Sequence, residues 1–138
     1  IIIGKGRDMS ALEEIIRKEG LEEHIYPIGL RENPIPYLKK CDAFFLPSRH
    51  EGKPMAVTES FIMGLVPVVT EYTSAKEQIR NGIDGLIFDN NDKALYEGLK
   101  NLLENPGILD ELKKNVASTD YGNEKEIAVF DNLVEKLM

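Results

Sequence analysis

The chain has 138 residues, 42% of them hydrophobic, which is enough apolar material for the core of one domain spanning residues 1–138. Its 17 Lys and Arg against 24 Asp and Glu give a net charge of −7. This argues against nucleic acid as a partner, because binding the phosphate backbone relies on a positive face. The single cysteine excludes an internal disulfide and favours a cytoplasmic location, and no ligand set has zinc spacing, so no metal is expected. No apolar run approaches the roughly 20 residues that span a bilayer.

Short apolar runs, typical of strands in a parallel sheet covered on both faces, alternate along the chain with helical patterns. The predicted strands are residues 1–3, 25–28, 43–46, 67–69 and 85–88. The predicted helices are residues 9–19, 34–40, 54–63, 74–81, 93–103, 109–116 and 124–137. This order predicts an α/β fold with a doubly wound parallel sheet and helices on both faces, in which residues 1–104 supply the sheet and crossover helices and 105–138 the C-terminal helices.

Two glycines mark predicted helix ends. The first residues of the chain indicate how it relates to a longer protein. Gly20 and Gly64 each follow the last residues of a helical pattern and can take the left-handed conformation that closes a helix. The chain opens directly on three isoleucines without an initiator Met, which predicts that it is part of a longer protein.

Basic residues are concentrated after the first three predicted strands, at the sheet edge where open α/β folds bind ligands. They are Lys5, Arg7, Arg31, Arg49 and Lys53. In an acidic chain this pattern favours an anionic ligand such as a phosphate, although the frequency of Lys and Arg in exposed loops explains it equally well. The turn at Gly4 and Gly6 lacks the third glycine of a dinucleotide fingerprint, so a tight strand-to-helix turn is the favoured interpretation.

The segment 47–59 carries the most chemistry. Pro54 suits the first turn of a helix, so that free amides cluster at a helix N-terminus, which attracts phosphate or hydroxyl groups; these amides belong to Gly52, Lys53, Met55 and Ala56. Glu51 and Glu59 could each grip a vicinal diol, because a carboxylate accepts two hydrogen bonds at once. The alternative is a Glu51 that interacts with the helix dipole and a solvated Glu59. Against it, an unpaired carboxylate among the apolar neighbours of Glu59 would be costly.

At these residues the sequence resembles the C-terminal, donor-binding domain of GT-B fold glycosyltransferases, specifically the retaining family 4 (group 1) type. The resemblance rests on an E-x7-E motif from Glu51 to Glu59, followed by a glycine and Pro-Val-Val at residues 64–69. Further similarities lie at residues 2–6, 26–29, 37–46 and 77–86, in the order and spacing of the family. The resemblance implies a Rossmann-like C-terminal half of a GT-B fold and a hexosyltransferase-type enzyme of polysaccharide biosynthesis that retains the anomeric configuration.

The resemblance also implies the ligands and their contacts. The donor would be a nucleotide-sugar, with UDP expected from the relatives, and no metal or other cofactor. Glu51 would hold hydroxyls of the transferred sugar and Glu59 those of the ribose, while the amides of residues 52–56 would meet the donor sugar and diphosphate. Leu30 and Arg31 would border the base, and Gly4 and Gly6 would lie beside the donor. The acceptor would be a glycan or lipid bound through an N-terminal domain. The whole enzyme would act in the cytoplasm, where contact with the inner face of the membrane is compatible with a lipid acceptor.

The sequence departs from the family in two places. Lys53 and Pro54 replace residues of a Gly-Phe-Gly loop, which predicts a stiffer loop with a cation near the diphosphate or donor sugar. The first βα unit and the N-terminal domain of the family have no counterpart, so the fragment alone is expected to bind donor weakly and to transfer little or no sugar. Alternative interpretations are a non-catalytic nucleotide-binding α/β module, or an epimerase or phosphorylase of GT-B fold.

Overall fold

The computed structural model describes residues 1–122, and the predicted helix at 124–137 lies outside them. The chain divides into two compact units, the first being Ile1–Tyr37 and the second beginning at Leu38. All the described strand pairs are parallel. Within residues 1–122 no helix is long and apolar enough to cross a membrane.

The first unit is built on a short parallel strand pair. Strand β1 (Ile2–Ile3) pairs with β2 (Pro27–Gly29), and helix α1 (Met9–Lys18) connects them. Gly20 follows α1 with φ +66°, and the N–H groups of Gly20 and Leu21 donate to the carbonyls of Arg17 and Ile16 at 3.3 and 2.9 Å. This closure satisfies the last carbonyls of the helix and confirms the helix end predicted at Gly20.

The second unit is a three-stranded sheet with helices packed on it. Its strands are β3 (Ala43–Leu46), β4 (Val66–Thr70) and β5 (Leu86–Phe88), in that spatial order. Helix α2 (Ile35–Leu38) crosses the boundary between the two units. The helices of the second unit in chain order are α3 (Met55–Ile62), α4 (Ala75–Gln78), α5 (Asp92–Glu104) and α6 (Gly107–Ala117). All five residues of β4 are buried, as expected of a central strand covered by helices.

The core of the second unit gathers around β4. Side chains from α3, α5 and α6 join its valines there, among them Val57, Phe61, Leu102, Leu112 and Val116. Helix α3 ends in the same closure as α1, with Gly64 at φ +76° and Leu65 N–H donating to Ser60 O at 2.9 Å. This confirms the helix end predicted at Gly64 and returns the chain directly into β4.

A buried carboxylate holds the turn between α4 and β5. Asp84 is 2% exposed and accepts three hydrogen bonds: from the backbone N–H of Arg80 at 2.9 Å, from its Nε at 2.6 Å and from the Tyr121 hydroxyl at 3.1 Å. The Tyr121 ring stacks on Phe61 with centroids 4.1 Å apart. Asp84 therefore links the turn to Tyr121, which follows α6, and Tyr121 in turn packs on helix α3.

Candidate functional site

The strands of the second unit end together at one edge of the sheet. In the register, Leu46 of β3 lies opposite Val69, and Thr70 of β4 lies opposite Phe88 of β5. The segments that follow the three strands therefore meet at this edge, where open α/β sheets bind ligands. The segment after β3 is residues 47–54, called the 47–54 loop below.

Two open cavities lie at this edge. The first has a volume of about 320 Å³ and is lined by Arg49, His50, Glu51, Gly52, Tyr72 and Thr73. The second, of about 540 Å³, shares Arg49 and His50 and is otherwise lined by Pro47, Asn90, Asn91, Asp92 and Leu95. Two of the predicted site residues, Glu51 and Gly52, thus line one cavity together with the side chains of Arg49 and His50.

Glu51 is half-buried in the first cavity and has a fixed partner. The Ser48 hydroxyl donates to its Oε1 at 2.7 Å, and within residues 1–122 no hydrogen bond is made to its Oε2. Tyr72 lines the same cavity, and its hydroxyl donates to Gln78 Oε1 at 3.0 Å. Burial raises the pKa of Tyr72, and the negative charge of Glu51 raises it further, so Tyr72 is a neutral hydrogen-bond donor at physiological pH.

The 47–54 loop is held mainly through its carbonyl groups. The Thr70 hydroxyl donates to Ser48 O, and the Ser74 hydroxyl donates to Gly52 O. Gln78 Nε2 donates to Pro54 O at 3.3 Å. Asn90 Nδ2 donates to the carbonyls of both Ser48 and Arg49. Because side chains from the segments around β4 and β5 bind these oxygens, the backbone of the loop has a defined path.

Helix α3 begins beside the first cavity without a capping side chain. Pro54 has φ −66° and ψ 122° and stands at the N-cap, one residue before the position predicted for it in the first helical turn. Its ring nitrogen cannot donate and its side chain cannot accept, so it provides no cap. Val57 N–H donates to Pro54 O at 3.2 Å, whereas the N–H groups of Met55 and Ala56 have no partner among residues 1–122 and can bind a ligand oxygen.

Glu59 is exposed, contrary to the reasoning that placed it among apolar neighbours. The buried side chains of α3 are Val57, Ser60 and Phe61, which lie on one stripe of the helix, while Glu59 and the 67% exposed Ile62 point elsewhere. Water therefore solvates this carboxylate, and the expectation that an unpaired Glu59 is costly is wrong. Its predicted contact with a ribose stays a prediction.

The remaining predicted residues of the second unit keep their predicted locations at the loop and helix start. Lys53 and Met55 are exposed, and Ala56 is half-buried. The side chains of Lys53 and Met55 are therefore accessible to a ligand.

Four predicted site residues belong to the first unit. Gly4 and Gly6 follow β1, and Gly4 N–H donates to Gly29 O at 3.0 Å, so the turn after β1 is tied to the end of β2. Leu30 and Arg31 follow β2 and are exposed, and the Arg31 guanidinium lies 5.7 Å from the centre of the Tyr37 ring. This is the distance of a cation–π contact, which orients the guanidinium without neutralising it.

Sequence reasoning missed Tyr72, which lines the first cavity. It also missed the residues that hold the loop, namely Thr70, Ser74, Gln78 and Asn90. The sequence contains a signal for them, because all five lie at or after the ends of the fourth and fifth strands, at the sheet edge where open α/β folds bind ligands. Among residues 1–122, no group of three or more His, Cys, Asp or Glu side chains could hold a metal ion.

Solved structures share this fold at low sequence identity. TarM superposes with a TM-score of 0.76 at 19% identity, over 96% of this chain and 28% of that one. Anabaena HepE in complex with UDP superposes with a TM-score of 0.72 at 17% identity, over 98% of this chain and 39% of that one. The likeness confirms the predicted fold class, a Rossmann-like α/β architecture of the kind found in the C-terminal half of GT-B proteins.

Curated relatives from Campylobacter jejuni are more similar in sequence. One is N-acetylgalactosamine-N,N'-diacetylbacillosaminyl-diphospho-undecaprenol 4-alpha-N-acetylgalactosaminyltransferase, 31% identical over 83% of this chain and 31% of its own length. Another is N,N'-diacetylbacillosaminyl-diphospho-undecaprenol alpha-1,3-N-acetylgalactosaminyltransferase, 36% identical over 67% of this chain and 25% of its own length. The chain therefore spans about a quarter to a third of the length of these two relatives.

The profile of one protein family covers almost the whole of the described chain. It is the family "Glycosyl transferases group 1", and it matches residues 1–119. The match includes both units, the 47–54 loop and helix α3, and it agrees with the resemblance found from the E-x7-E motif. The chain belongs to the group 1 glycosyl transferases.

Proposed function

We propose that this chain is the donor-binding part of a hexosyltransferase that moves a sugar from a nucleotide-sugar, a UDP-sugar in the first instance, to an acceptor glycan or lipid. The observation that carries the proposal is the uncapped N-terminus of α3 beside the cavity lined by Glu51 and Gly52. Free amides at a helix start bind phosphate oxygens, and a neighbouring carboxylate binds hydroxyls. One cavity edge therefore offers both groups that a nucleotide-sugar requires.

The geometry suggests how the transferred sugar is held. Ser48 occupies Oε1 of Glu51 at 2.7 Å, so Oε2 is the oxygen proposed to accept from a sugar hydroxyl. The backbone N–H groups of residues 52, 53, 55 and 56, on either side of Pro54, are proposed to face the donor sugar and the diphosphate, together with the exposed ammonium of Lys53. A charge-assisted contact of this kind is stronger than a neutral hydrogen bond.

The nucleoside is proposed to be bound by other residues. Glu59, exposed on α3, is the proposed partner of the ribose hydroxyls. In the first unit, Leu30 and Arg31 are proposed to border the base, and Gly4 and Gly6 to form the turn beside the donor. No metal or other cofactor is part of the proposal, because the cationic side chains and helix amides provide the positive charge that a diphosphate needs.

The acceptor and the setting are proposed from the relatives. Two similar proteins are named for transfer to undecaprenol diphosphate-linked sugars, and another is named an alpha-1,3-galactosyltransferase that uses UDP-Gal. We therefore expect a lipid-linked glycan acceptor in polysaccharide biosynthesis, a cytoplasmic enzyme that works at the inner face of the membrane, and retention of the anomeric configuration as in family 4.

Calorimetric titration with UDP, GDP and ADP tests the proposal, on the whole natural protein that contains this sequence. We expect UDP to bind most tightly and Glu59→Ala to weaken UDP binding about 10- to 100-fold, which corresponds to the loss of one charge-assisted contact of about 1.5–3 kcal/mol. Glu97→Ala is the matched control, because Glu97 is also an exposed helical glutamate but lies on α5. No affinity for any nucleotide, or affinity indifferent to Glu59, would refute the proposal.

A second variant tests the role of the loop cation. Lys53→Ala should weaken binding of a UDP-sugar, because it removes a positive charge beside the proposed diphosphate position. Lys100→Ala on α5 is the control, since it removes the same charge from an exposed helix position outside both cavities. Equal affinities for the Lys53 variant and the wild type would contradict this assignment.

A further inference from the structure

The side-chain amide of Asn90 contacts three carbonyl groups from two segments of the chain. Its Nδ2 lies 3.0 Å from Arg49 O, 3.4 Å from Ser48 O and 3.4 Å from Glu71 O. All three partners are acceptors, so the amide orientation is fixed with its nitrogen toward them. The two amide hydrogens are shared among three oxygens, and the group thereby links the segments that follow all three strands of the second unit.

This contact acts on the part of the 47–54 loop that carries the candidate carboxylate. Ser48 offers its carbonyl to Asn90 and its hydroxyl to Glu51, where the distance to Oε1 is 2.7 Å. The position of the Ser48 backbone therefore sets the position of its hydroxyl, which in turn fixes one oxygen of Glu51. Thr70 binds the same carbonyl from the end of β4, so Asn90 completes a pair of donors on one loop oxygen.

We infer that Asn90 is a positioning residue for the donor sugar, acting through Ser48 on Glu51; the inference rests on the proposed function of this site. Asn90 does not act on Glu59, which lies on α3 and is proposed to bind the ribose. Loss of the Asn90 amide should therefore weaken recognition of the sugar and leave recognition of the nucleoside intact. A residue that only stabilised the fold would affect both to the same degree.

Asn90 is exposed, so its replacement leaves the buried core unchanged. Asn90→Asp keeps the size of the side chain but turns an acceptor toward three carbonyl oxygens, which repel it. Asn91→Asp is the matched control, because it adds the same charge one residue later in the same cavity. Asn91 caps α5 by accepting from Ala94 N–H at 2.9 Å, and an aspartate accepts this bond equally well.

The experiment compares calorimetric affinities for UDP and for the tightest-binding of UDP-glucose, UDP-galactose and UDP-N-acetylgalactosamine, again on the whole natural protein. We expect Asn90→Asp and Asn90→Ala to weaken UDP-sugar binding about tenfold, equivalent to about 1.4 kcal/mol. Binding of UDP should stay within about threefold of wild type. Asn91→Asp reports the effect of the added charge alone, so it should change the affinities for UDP and for the UDP-sugar by the same factor. Asn90→Gln, which keeps an amide donor, should recover part of the loss.

Unchanged UDP-sugar affinity in Asn90→Asp, or a parallel loss of UDP and UDP-sugar binding, overturns the inference. If the wild type binds no nucleotide, the proposed function fails and with it the sugar-positioning role. The clamp on the loop is then measured separately, by amide hydrogen exchange of residues 48–52. Faster exchange in Asn90→Asp than in Asn91→Asp would support a role of Asn90 in holding the 47–54 loop. Equal exchange rates would refute this role too.

Discussion

The buried carboxylate of Asp84 gives the sharpest test of how this fold is held together. Asp84→Asn preserves the shape of the side chain but places an amide N–H₂ against the donors that Oδ2 now serves, Arg80 Nε at 2.6 Å and the Tyr121 hydroxyl at 3.1 Å. Each hydrogen bond to a charged group contributes about 1.5–3 kcal/mol, so two lost bonds would cost about 3–6 kcal/mol. Part of this is recovered, because the variant no longer buries a charge and water can reach the 54% exposed Arg80.

We therefore expect Asp84→Asn to lower the free energy of unfolding by about 3 kcal/mol and the melting temperature by roughly 10 °C. The control is Asp42→Asn. Asp42 contacts Lys113 at 2.5 Å, as short as the Asp84 pair, but its side chain is 77% exposed. An exposed ion pair contributes about 1 kcal/mol or less, so this variant should melt within about 4 °C of wild type.

Urea and thermal denaturation, followed by circular dichroism at neutral pH, measure both variants. Salt near 1 M, where the Debye length is about 3 Å, should reduce the small effect of Asp42→Asn and leave that of Asp84→Asn nearly unchanged. Equal losses in the two variants would refute the reasoning, because they would show that the distance between the charges, and not burial, decides the contribution of a carboxylate.

Three further predictions follow from packing, ionisation and capping. Gly85→Ala should destabilise the protein by about 1–3 kcal/mol, because its Cβ would lie 2.7 Å from the backbone oxygen of Pro67. Gly107→Ala is the control and should not destabilise it, because the space around that Cβ is open. Equal urea midpoints for the two variants would contradict the role of close packing at Gly85. Burial and the Glu51 charge raise the folded-state pKa of Tyr72 above 10.0. The contribution of Tyr72 to stability is therefore complete below pH 10 and is lost as pH rises through the folded-state pKa. In a spectroscopic pH titration, Tyr72→Phe should remove a tyrosinate absorbance that appears late, and an unchanged titration curve would contradict the raised pKa. Asn91→Ala should lower the free energy of unfolding by about 1 kcal/mol through loss of the α5 cap, measurable in urea, while Asn91→Asp should change it little. The same loss in both variants would show that the capping hydrogen bond, which aspartate keeps, is not its cause.

The sequence predicted the strands better than the short helices. Strand β3 has the predicted bounds, because its four apolar residues are followed directly by Pro47. Helix α4 was predicted over residues 74–81 but ends at Gln78, since Ile79 turns to φ −126° and ψ 125° to bury its side chain. The helical pattern includes Ile79 as an apolar position, but it does not show where the core lies. Burial of the Ile79 side chain in that core outweighs the helix propensity of the segment.

The candidate site was predicted in part, for a similar reason. Pro54 placed the start of α3 to within one residue, because local chemistry determines a loop that leads into a helix. Glu51 lies in that loop and lines the first cavity, and its contact with a sugar stays a prediction. The contacts that hold the loop come from Thr70 and Asn90, which lie more than 20 and 40 positions away along the chain. Such pairs are set by strand order and register, which a single sequence does not specify.

The way the 47–54 loop is held has a consequence for how specificity can change. Its carbonyl oxygens, which every amino acid possesses, receive most of the hydrogen bonds that fix its path. Substitution of Arg49, His50 or Lys53 therefore alters the charge and shape offered to a ligand without disturbing the bonds that support the backbone. In proteins that share this loop, substitution of a few side chains can therefore change which ligand is bound. The backbone hydrogen bonds stay the same, so ligand choice can evolve while the fold is conserved.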